Sequence, residues 1–359
     1  MTITENNPAA ATDVAEATEA PTADEFTTRW QNPTGKSWRT WSTRDELIGT
    51  VIGGGRGMPV IRLFDHFTGR SVGFSGSVTL FEHETIKVLA QNPATCEPYF
   101  SRYANFDALY VQYSGVSVID TEYGPLRVEP FQVAHIPAGV AHRSIGDPDC
   151  KRLAVLSREP IDVAITPESY TTDRHFVVRP DGGLSGGAVE PILPAADQGW
   201  DYEAAFLWDE PFYKPTWYKR KIDALASGTT GGREPVVVRI FDVFAHMTGK
   251  SRGGPGPKIF SNSELEMKVY NTEGHQYGFH RGNGQDELWM QFRAESLNET
   301  EYGVVPLGAG QATIVPPGIS HRILGREGFL RFNLYSHRPL TLRVDPLQAI
   351  TSTKFEISE

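Results

Sequence analysis

The chain is poor in the residues that would cross-link it or attach it to a polyanion. Only two cysteines, Cys96 and Cys150, occur in 359 residues. They are too few for a disulfide framework and lack the CxxC spacing of a thiolate zinc site, so we expect reduced thiols. Lys and Arg number 34 against 44 Asp and Glu, which gives a net charge of -10. Because nucleic acid is bound through a basic surface, we exclude it as a partner.

Long apolar runs are also missing from the sequence. No run reaches the roughly 18 consecutive apolar residues that predict a transmembrane helix. The N-terminus carries neither the basic segment nor the apolar segment of a secretion signal. We therefore expect no membrane association and a cytoplasmic location.

Glycine and proline are abundant, at 35 and 25 residues, and they separate short β-branched and aromatic runs. This pattern is typical of an all-β protein with many turns. Residues 1–28 hold six acidic residues and no Lys or Arg, which predicts a disordered tail. Residues 178–215 are rich in Pro, Gly and Asp and are predicted to connect two β domains, at 29–177 and 216–359.

An internal repeat supports this division into two domains. Residues 107–146 align with residues 286–325 at a constant offset of 179, without a gap. They share 14 identities in 40 positions, against about two or three expected by chance. Shared residues include the pairs Pro137 and Pro316, and His142 and His321. We infer that the protein arose by duplication of one β unit.

The second repeat carries two motifs of the cupin superfamily. Gly274, His280 and Glu287 stand at the spacing of the first motif, while Gly310, Pro316-x-Gly318 and His321 match the second. Gly282 replaces the second histidine of the first motif. The resemblance implies a bicupin, two tandem double-stranded β-helix (jelly-roll) barrels, with the metal held by His280, Glu287 and His321.

Two imidazoles and one carboxylate on a rigid barrel suit a facial metal site with open positions. Asp286 competes with Glu287 for this role, but successive strand residues face opposite sides and only one can point at the metal. The cupin spacing favours Glu287. Side chains on its face or nearby are weak candidates for substrate binding: Trp289, Gln291, Tyr277 and Arg322.

The first repeat has lost this ligand set. At the offset of 179, His280 corresponds to Ser101 and Glu287 to Ala108, and only His142 is retained. One histidine cannot hold a metal ion tightly, so the first barrel is predicted to be metal-free. Its Asp107 and His142 are expected in ordinary hydrogen bonds.

The first repeat also resembles the first cupin of homogentisate 1,2-dioxygenases. The resemblance rests on "NFDALYVQYSG", "VIDTEYGPLRVEP" and "IPAG" in order and spacing, and on the His280-Arg281 pair that begins the ligand set. It implies an Fe(II) enzyme whose first barrel is metal-free, and which uses O2 to cleave the ring of a small hydroxylated aromatic such as homogentisate, gentisate or hydroquinone. That chemistry belongs to aromatic compound catabolism.

Two other hypotheses stay open from the sequence. Imidazole and carboxylate ligands also suit Mn, Zn or Ni, so a non-oxidative isomerase, hydrolase or lyase is the first alternative. The second is a non-enzymatic bicupin that binds a small ligand. Because exposed edges of β barrels are commonly buried by symmetric association, we also expect a homo-oligomer.

Overall fold

The computed structural model describes most of two β barrels. The described residues are 57–67, 77–93, 100–103, 105–121, 124–164, 200–206, 216–221, 233–246, 256–271, 274–275, 284–300, 303–319 and 321–350. The predicted acidic tail, most of the predicted connector, Tyr277 and His280 lie outside them.

The described chain is almost entirely β structure, as predicted. The strands of the first half are β1 (Met58–Arg62), β2 (Ser77–Glu82), β3 (Ile86–Gln91), β4 (Phe100–Tyr103), β5 (Asp107–Ser114), β6 (Ser117–Thr121), β7 (Gly124–Val128), β8 (Gln132–Ile136), β9 (Ala141–Gly146), β10 (Lys151–Ser157) and β11 (Asp162–Val163).

The strands that follow are β12 (Trp200–Phe206), β13 (Thr216–Lys221), β14 (Val236–Arg239), β15 (Lys258–Ser261), β16 (Leu265–Tyr270), β17 (Gly274–His275), β18 (Asp286–Arg293), β19 (Ser296–Thr300), β20 (Gly303–Leu307), β21 (Gln311–Val315), β22 (His321–Gly325), β23 (Leu330–Ser336), β24 (Thr341–Leu342) and β25 (Gln348–Ile350), with a 3-10 helix at Asp242–His246. No described helix is long and apolar enough to cross a membrane.

The strand bounds confirm the duplication. Strands β3, β5, β6, β7, β8, β10 and β11 have the same limits, shifted by 179 residues, as β16, β18, β19, β20, β21, β23 and β24. The turns match as well: Gly115 and Ala294 both have positive φ angles, of 64° and 56°, and Gly139 and Gly318 both have 85°. The second copy therefore keeps the turn geometry even where Ala294 has replaced a glycine in a conformation that favours glycine.

The strands form two facing sheets in each half. The first half has a seven-stranded sheet, β14-β8-β5-β10-β3-β2-β24, and a six-stranded sheet, β13-β12-β4-β9-β6-β7. The second half has an eight-stranded sheet, β11-β15-β16-β23-β18-β21-β1-β25, and a four-stranded sheet, β17-β22-β19-β20. This is the predicted all-β architecture of two jelly-roll barrels.

The two halves exchange strands symmetrically. β1 pairs with β21 of the second half, and β14 pairs with β8 of the first. β11 pairs with β15, and β24 pairs with β2. The sheets thus cross the predicted domain limits of 29–177 and 216–359. β12 lies inside the segment 178–215 that the composition assigns to a connector, and its aromatic sequence WDYEAAF pairs in parallel with β4.

One apolar core joins the two halves. It contains Leu109, Val111 and Val155 of the first half together with Leu288 and Met290 of the second, all fully buried. Since strand residues alternate between faces, the residues between them point into their own barrels. Ala108 and Tyr110 belong to a separate cluster inside the first barrel.

Candidate metal and ligand site

Glu287 and His321 meet inside the second barrel. Glu287 is the second residue of β18 in the eight-stranded sheet, and His321 begins β22 in the four-stranded sheet, so the two sheets of the second barrel bring them together. Glu287 Oε2 lies 3.4 Å from His321 Nε2. Both residues are buried: Glu287 is 4% exposed and His321 is 1% exposed. The structure thus brings together two of the three predicted ligands.

The ring of His321 is held in one orientation by the backbone. Its Nδ1 lies 3.0 Å from the carbonyl oxygen of Ile319. A carbonyl only accepts hydrogen bonds, so Nδ1 carries a proton, and in the neutral imidazole the lone pair is then on Nε2, the atom that faces Glu287. A metal-binding histidine commonly has this arrangement. His142 makes the same contact with Val140, at 3.0 Å, so the barrel scaffold supplies it in both halves.

The strand register decides between Asp286 and Glu287. Asp286 points to the other face of β18, where its Oδ2 accepts a hydrogen bond of 2.7 Å from the Leu340 amide. The corresponding Asp107 accepts a 2.8 Å hydrogen bond from the amide of Ile161. Because this contact is present in both halves, Asp286 has a structural role, and Glu287 is the carboxylate that faces His321.

The donor set is compatible with a metal ion. Two ligands about 2.1 Å from one ion in neighbouring positions are about 3 Å apart, close to the distance between Glu287 and His321. Within the described ranges no group of three His, Cys, Asp or Glu side chains converges. The third predicted ligand, His280, lies outside those ranges, so its place in the site stays a prediction.

Trp289 forms one wall of this site. Its Nε1 donates a hydrogen bond of 3.2 Å to Glu287 Oε2, and its ring centroid lies 4.8 Å from that of His321. The guanidinium of Arg331 lies 4.6 Å from the Trp289 ring centroid. Apolar residues of the same cluster surround the indole, among them Val60 and Val315. Trp289 therefore lies on the same face of β18 as Glu287 and contacts both Glu287 and His321, while its role in substrate binding stays a prediction.

Gln291 and Arg322 have other partners. Gln291 donates to the carbonyl oxygens of Arg293 and Ala294 and accepts from Ser296, which closes the turn after β18. The equivalent Gln112 bonds the corresponding atoms in the first half.

Arg322 forms an ion pair with Glu299 on the neighbouring strand, as Arg143 does with Asp120. The structure gives Gln291 and Arg322 structural contacts that both halves share. Neither belongs to the group around Glu287, and Tyr277 lies outside the described residues.

Two tyrosine hydroxyls lie near the carboxylate and were missed by the sequence analysis. Tyr335 is directly opposite Glu287 in the β18–β23 register, and its hydroxyl is 2.5 Å from that of Tyr270. Burial and the negative charge of Glu287 raise the pKa of Tyr270 to about 12, although the hydrogen bond from Tyr335 lowers it. Burial likewise raises the pKa of Tyr335 well above its ordinary value. Both phenols are protonated near neutral pH.

Arg331 is a buried cation of the same interior. Its Nη2 donates to Asn298 Oδ1 at 2.6 Å and to Ser296 Oγ at 3.1 Å. Burial lowers the pKa of Arg331 to about 9, although the nearby Tyr335, Tyr270 and Glu287 oppose this shift. The equivalent Arg152 packs on Tyr110 in the same way, 4.0 Å from its ring centroid. Arg331 therefore makes a structural contact that both barrels share.

The first barrel fills the same space with its own side chains. His142 Nε2 lies 2.9 Å from the hydroxyl of Tyr110, which is 2.8 Å from that of Tyr103. Tyr110 corresponds to Trp289, Tyr103 to Gly282 and Ala108 to Glu287. The tyrosines thus close off the remaining histidine, in agreement with the predicted hydrogen-bonding role of His142.

Comparison of the two interiors reveals the polar residues of the second. At the offset of 179, apolar inward residues of the first barrel are replaced by polar ones in the second. The replaced residues are Leu89, Ala108, Ile119, Ala134, Ala154 and Leu156, and their counterparts are Lys268, Glu287, Asn298, Thr313, Asn333 and Tyr335. This comparison was available from the sequence and would have found them.

Some of these polar atoms are buried without a protein partner. Thr313 Oγ1 and Asn333 Oδ1 have no hydrogen-bond partner among the residues that the structure describes. Leaving such an atom buried and unpaired costs about 1–3 kcal/mol of stability. The second barrel accepts this cost at positions where the first has alanine.

Comparisons with known proteins found matches among solved structures alone. No family model matches the sequence, and no curated protein matches it. Among solved structures, a cupin 2 conserved barrel domain protein from Leptotrichia buccalis has 9% identity and a TM-score of 0.44, over 79% of this chain and 96% of that one. An oxalate decarboxylase mutant from Bacillus subtilis has 13% identity and a TM-score of 0.43, over 79% of each chain.

A putative glyoxylate induced protein from Pseudomonas aeruginosa has 11% identity and a TM-score of 0.43, over 80% of this chain and 92% of that one. At these identities and TM-scores the similarities add nothing to what the strand topology of the chain shows. The fold is all-β, with two tandem jelly-roll barrels.

Proposed function

We propose that the protein is an Fe(II)-dependent dioxygenase that cleaves the ring of a small hydroxylated aromatic. One observation carries the proposal: Glu287 and His321 converge in a buried polar interior, while the equivalent interior of the first barrel is apolar and closed. A duplicated scaffold with one closed and one polar interior is typical of a protein in which one copy retains the chemistry. The sequence resemblance to homogentisate 1,2-dioxygenases narrows that chemistry to ring cleavage.

Glu287 and His321, with His280 as the predicted third ligand, would hold the metal. Fe(II), when bound, would supply the electron transfer between an aromatic substrate and O2 that ring cleavage requires. The backbone carbonyl of Ile319 keeps the Nε2 lone pair of His321 directed at the site. Trp289 donates to one carboxylate oxygen of Glu287 and so restricts its rotation.

The remaining walls suit an aromatic ring. Trp289, Val60 and Val315 present apolar surface beside Glu287, which excludes water from the reacting atoms. Tyr335 and Tyr270 are protonated, and since Tyr335 gives its proton to Tyr270, the Tyr270 hydroxyl is the one that can donate to an oxygen that gains negative charge. The Arg331 guanidinium adds a fixed positive charge to the same interior, which favours phenolate over phenol.

Oxygen uptake tests the proposal. The protein is reconstituted anaerobically with Fe(II) and supplied with homogentisate, gentisate, hydroquinone, catechols and hydroxy-aminobenzoates in turn. We expect one O2 consumed per molecule of one of these substrates, and no uptake by Glu287→Ala. The matched control is His142→Ala, which removes the equivalent histidine of the first barrel and is expected to retain activity.

Two results would replace this proposal. Turnover that persists when oxygen is excluded indicates non-oxidative metal chemistry, with Mn, Zn or Ni in place of Fe(II). Silence across the panel in protein that holds one metal ion per chain indicates a bicupin that binds a small ligand without transforming it.

A further inference from the structure

Lys268 lies on the inner face of the second barrel, two strands away from β18. In the strand register Lys268 is opposite Asn333 of β23, which is in turn opposite Trp289 of β18. Directly opposite residues share a sheet face, so Lys268 faces the same interior as Trp289 and Glu287. Its neighbour Met267 points the other way, into the core between the two halves.

The side chain of Lys268 leans toward the row of residues that contains Glu287. In that row Tyr335 of β23 lies between Glu287 of β18 and Glu266 of β16. The ammonium of Lys268 is 4.4 Å from the centroid of the Tyr335 ring. Its positive charge therefore lies over the residue next to Glu287 rather than in the row of its own backbone.

Solvent reaches the β16 side of this interior. The side chains of Glu266 and Lys268 are 21% and 20% exposed, whereas Tyr335 is 7% and Glu287 4% exposed. Exposure thus falls along the inner face from β16 to β18. Because an inward side chain of a closed barrel is buried, the partial exposure of Lys268 places its ammonium at the mouth of the interior.

The ammonium of Lys268 has hydrogen-bonding capacity for a ligand. Its Nζ lies 2.8 Å from Glu266 Oε2, and the Nζ of Lys258 lies 2.6 Å from Glu266 Oε1. Two ammonium groups thus share one carboxylate, so this group of three side chains carries an excess of positive charge. An ammonium has three donors, and the contact with Glu266 uses one of those on Lys268.

The first barrel shows that the fold does not need a charge at this position. Leu89 takes the place of Lys268 there. It is buried in an apolar cluster with Leu156, the counterpart of Tyr335. Partial burial of an ammonium costs free energy that a leucine does not cost. The charge thus occurs in the copy that retains Glu287, and it is absent from the copy that has lost the carboxylate.

We propose that Lys268 determines the specificity of the site by binding an acidic substituent, which the ligand carries on the side of its ring away from Glu287. Lys268 donates a hydrogen bond to the carboxylate at the mouth, while the ring lies in the interior. A neutral substituent gains no such charge-assisted hydrogen bond. The inference rests on the proposed function for the position of the ring beside Glu287, and it selects the acids among the hydroxylated aromatics.

Binding of an acid and of its methyl ester tests the role of Lys268. Homogentisate and methyl homogentisate are titrated calorimetrically into the full chain with Fe(II) under nitrogen, so that no oxygen is available for turnover. The two compounds share the ring and both hydroxyls, and only the acid carries a charge. We expect wild-type protein to bind the acid about tenfold more tightly than the ester.

Two lysine variants separate position from charge. Lys268→Leu introduces the residue of the first barrel and should bind both compounds with the affinity that wild type has for the ester. The matched control Lys258→Leu removes the other ammonium that contacts Glu266 and should retain the preference for the acid. In wild-type protein this preference should also shrink at about 1 M salt, where charges are screened beyond roughly 3 Å, and this measurement requires no variant.

Equal binding of acid and ester by wild-type protein overturns the assignment, as does a preference for the acid that persists in Lys268→Leu. Absence of binding of either compound by wild-type protein also overturns it. Oxygen uptake by the same preparations is scored separately. Preference for the acid without uptake on any substrate refutes the proposed function alone, whereas uptake by wild-type protein that binds both compounds equally refutes the role of Lys268 alone.

Discussion

Substituting the neighbouring carboxylates of β18 separately should have opposite effects on stability. Glu287→Gln removes the proposed ligand, and Asp286→Asn changes a carboxylate on the other face of the same strand. The two substitutions are chemically identical in kind, so any contrast between them reports on the direction in which each side chain points.

The magnitudes follow from burial and linkage. A metal ion present at about 100 times its dissociation constant stabilises the native state by about 2.7 kcal/mol. For a chain of 359 residues, that corresponds to a rise in Tm of roughly 3–4 °C. Glu287→Gln should abolish this rise. Its metal-free form should be at least as stable as wild type, because the substitution removes a buried charge, 4% exposed, and keeps an acceptor for Trp289.

Asp286→Asn should behave in the reverse manner. It weakens the 2.7 Å hydrogen bond from the Leu340 amide by removing the acceptor's charge. The loss is about 1–2 kcal/mol with or without metal. The rise in Tm on adding metal should remain as in wild type.

Differential scanning calorimetry under nitrogen, with Fe(II) or with a chelator, measures both quantities. The assignment fails if Glu287→Gln keeps the rise in Tm on adding Fe(II). If Asp286→Asn loses that rise while Glu287→Gln keeps it, the register of β18 is shifted by one residue and the two carboxylates exchange roles.

Three further outcomes are expected. Burial alone would raise the pKa of Asp107, but hydrogen bonds from His135 and Arg233 hold it well below its ordinary value. The Asp107 carboxylate therefore stabilises the protein above about pH 4 and loses that effect as the pH falls. The free energies of unfolding of wild type and Asp107→Asn, measured by urea titration, should converge in acid, and a constant difference would contradict this. The pKa of Tyr270 is raised from 10.0 to about 12, so its contribution to stability is complete below pH 10 and is lost as the pH rises toward 12. Because Tyr270 stays protonated at pH 11, Tyr270→Phe should leave the phenolate absorbance of native protein at that pH unchanged. Gly146→Ala places a Cβ against the Pro93 carbonyl oxygen and should lower the free energy of unfolding by about 1–3 kcal/mol. Gly308→Ala, whose nearest neighbour is 3.6 Å away, should cost little, and equal midpoints in urea would refute the contrast.

The sequence predicted those features of the fold that depend on local pattern and on the repeat. Alternation and turn residues identified the β class, and the offset of 179 gave the correspondence of strands that the structure confirms. Strand alternation also separated Asp286 from Glu287, because a shift of one residue reverses the face.

Strand exchange was beyond the sequence, since pairing between distant strands leaves no local signal. Nothing in Met58–Arg62 distinguishes a strand that pairs with β21 from one that stays in its own half. The substrate-binding predictions for Gln291 and Arg322 relied on alternation and motif position alone. Gln291 bonds the turn after β18, and Arg322 forms an ion pair with Glu299 on the adjacent strand. Their identity with Gln112 and Arg143 was the signal of a structural role.

The polar lining of the site could have been found by subtraction. Residues common to both repeats maintain the barrel, so residues that differ between the repeats at inward positions identify the specific chemistry of one copy. Thr313, Asn333 and Tyr335 all meet this criterion. The predicted homo-oligomer and the ligand role of His280 stay predictions.

The exchange of strands makes the two copies inseparable in evolution as well as in the folded state. β1 of the first copy lies beside β21, with Val60 opposite Thr313 in the wall of the second interior. A deletion of the first gene copy would therefore open the surviving pocket along one side. The first barrel can lack the ligand set without affecting the second site, but its β1 strand forms part of the wall of that site. The chain therefore retains the first half as part of the architecture of the second.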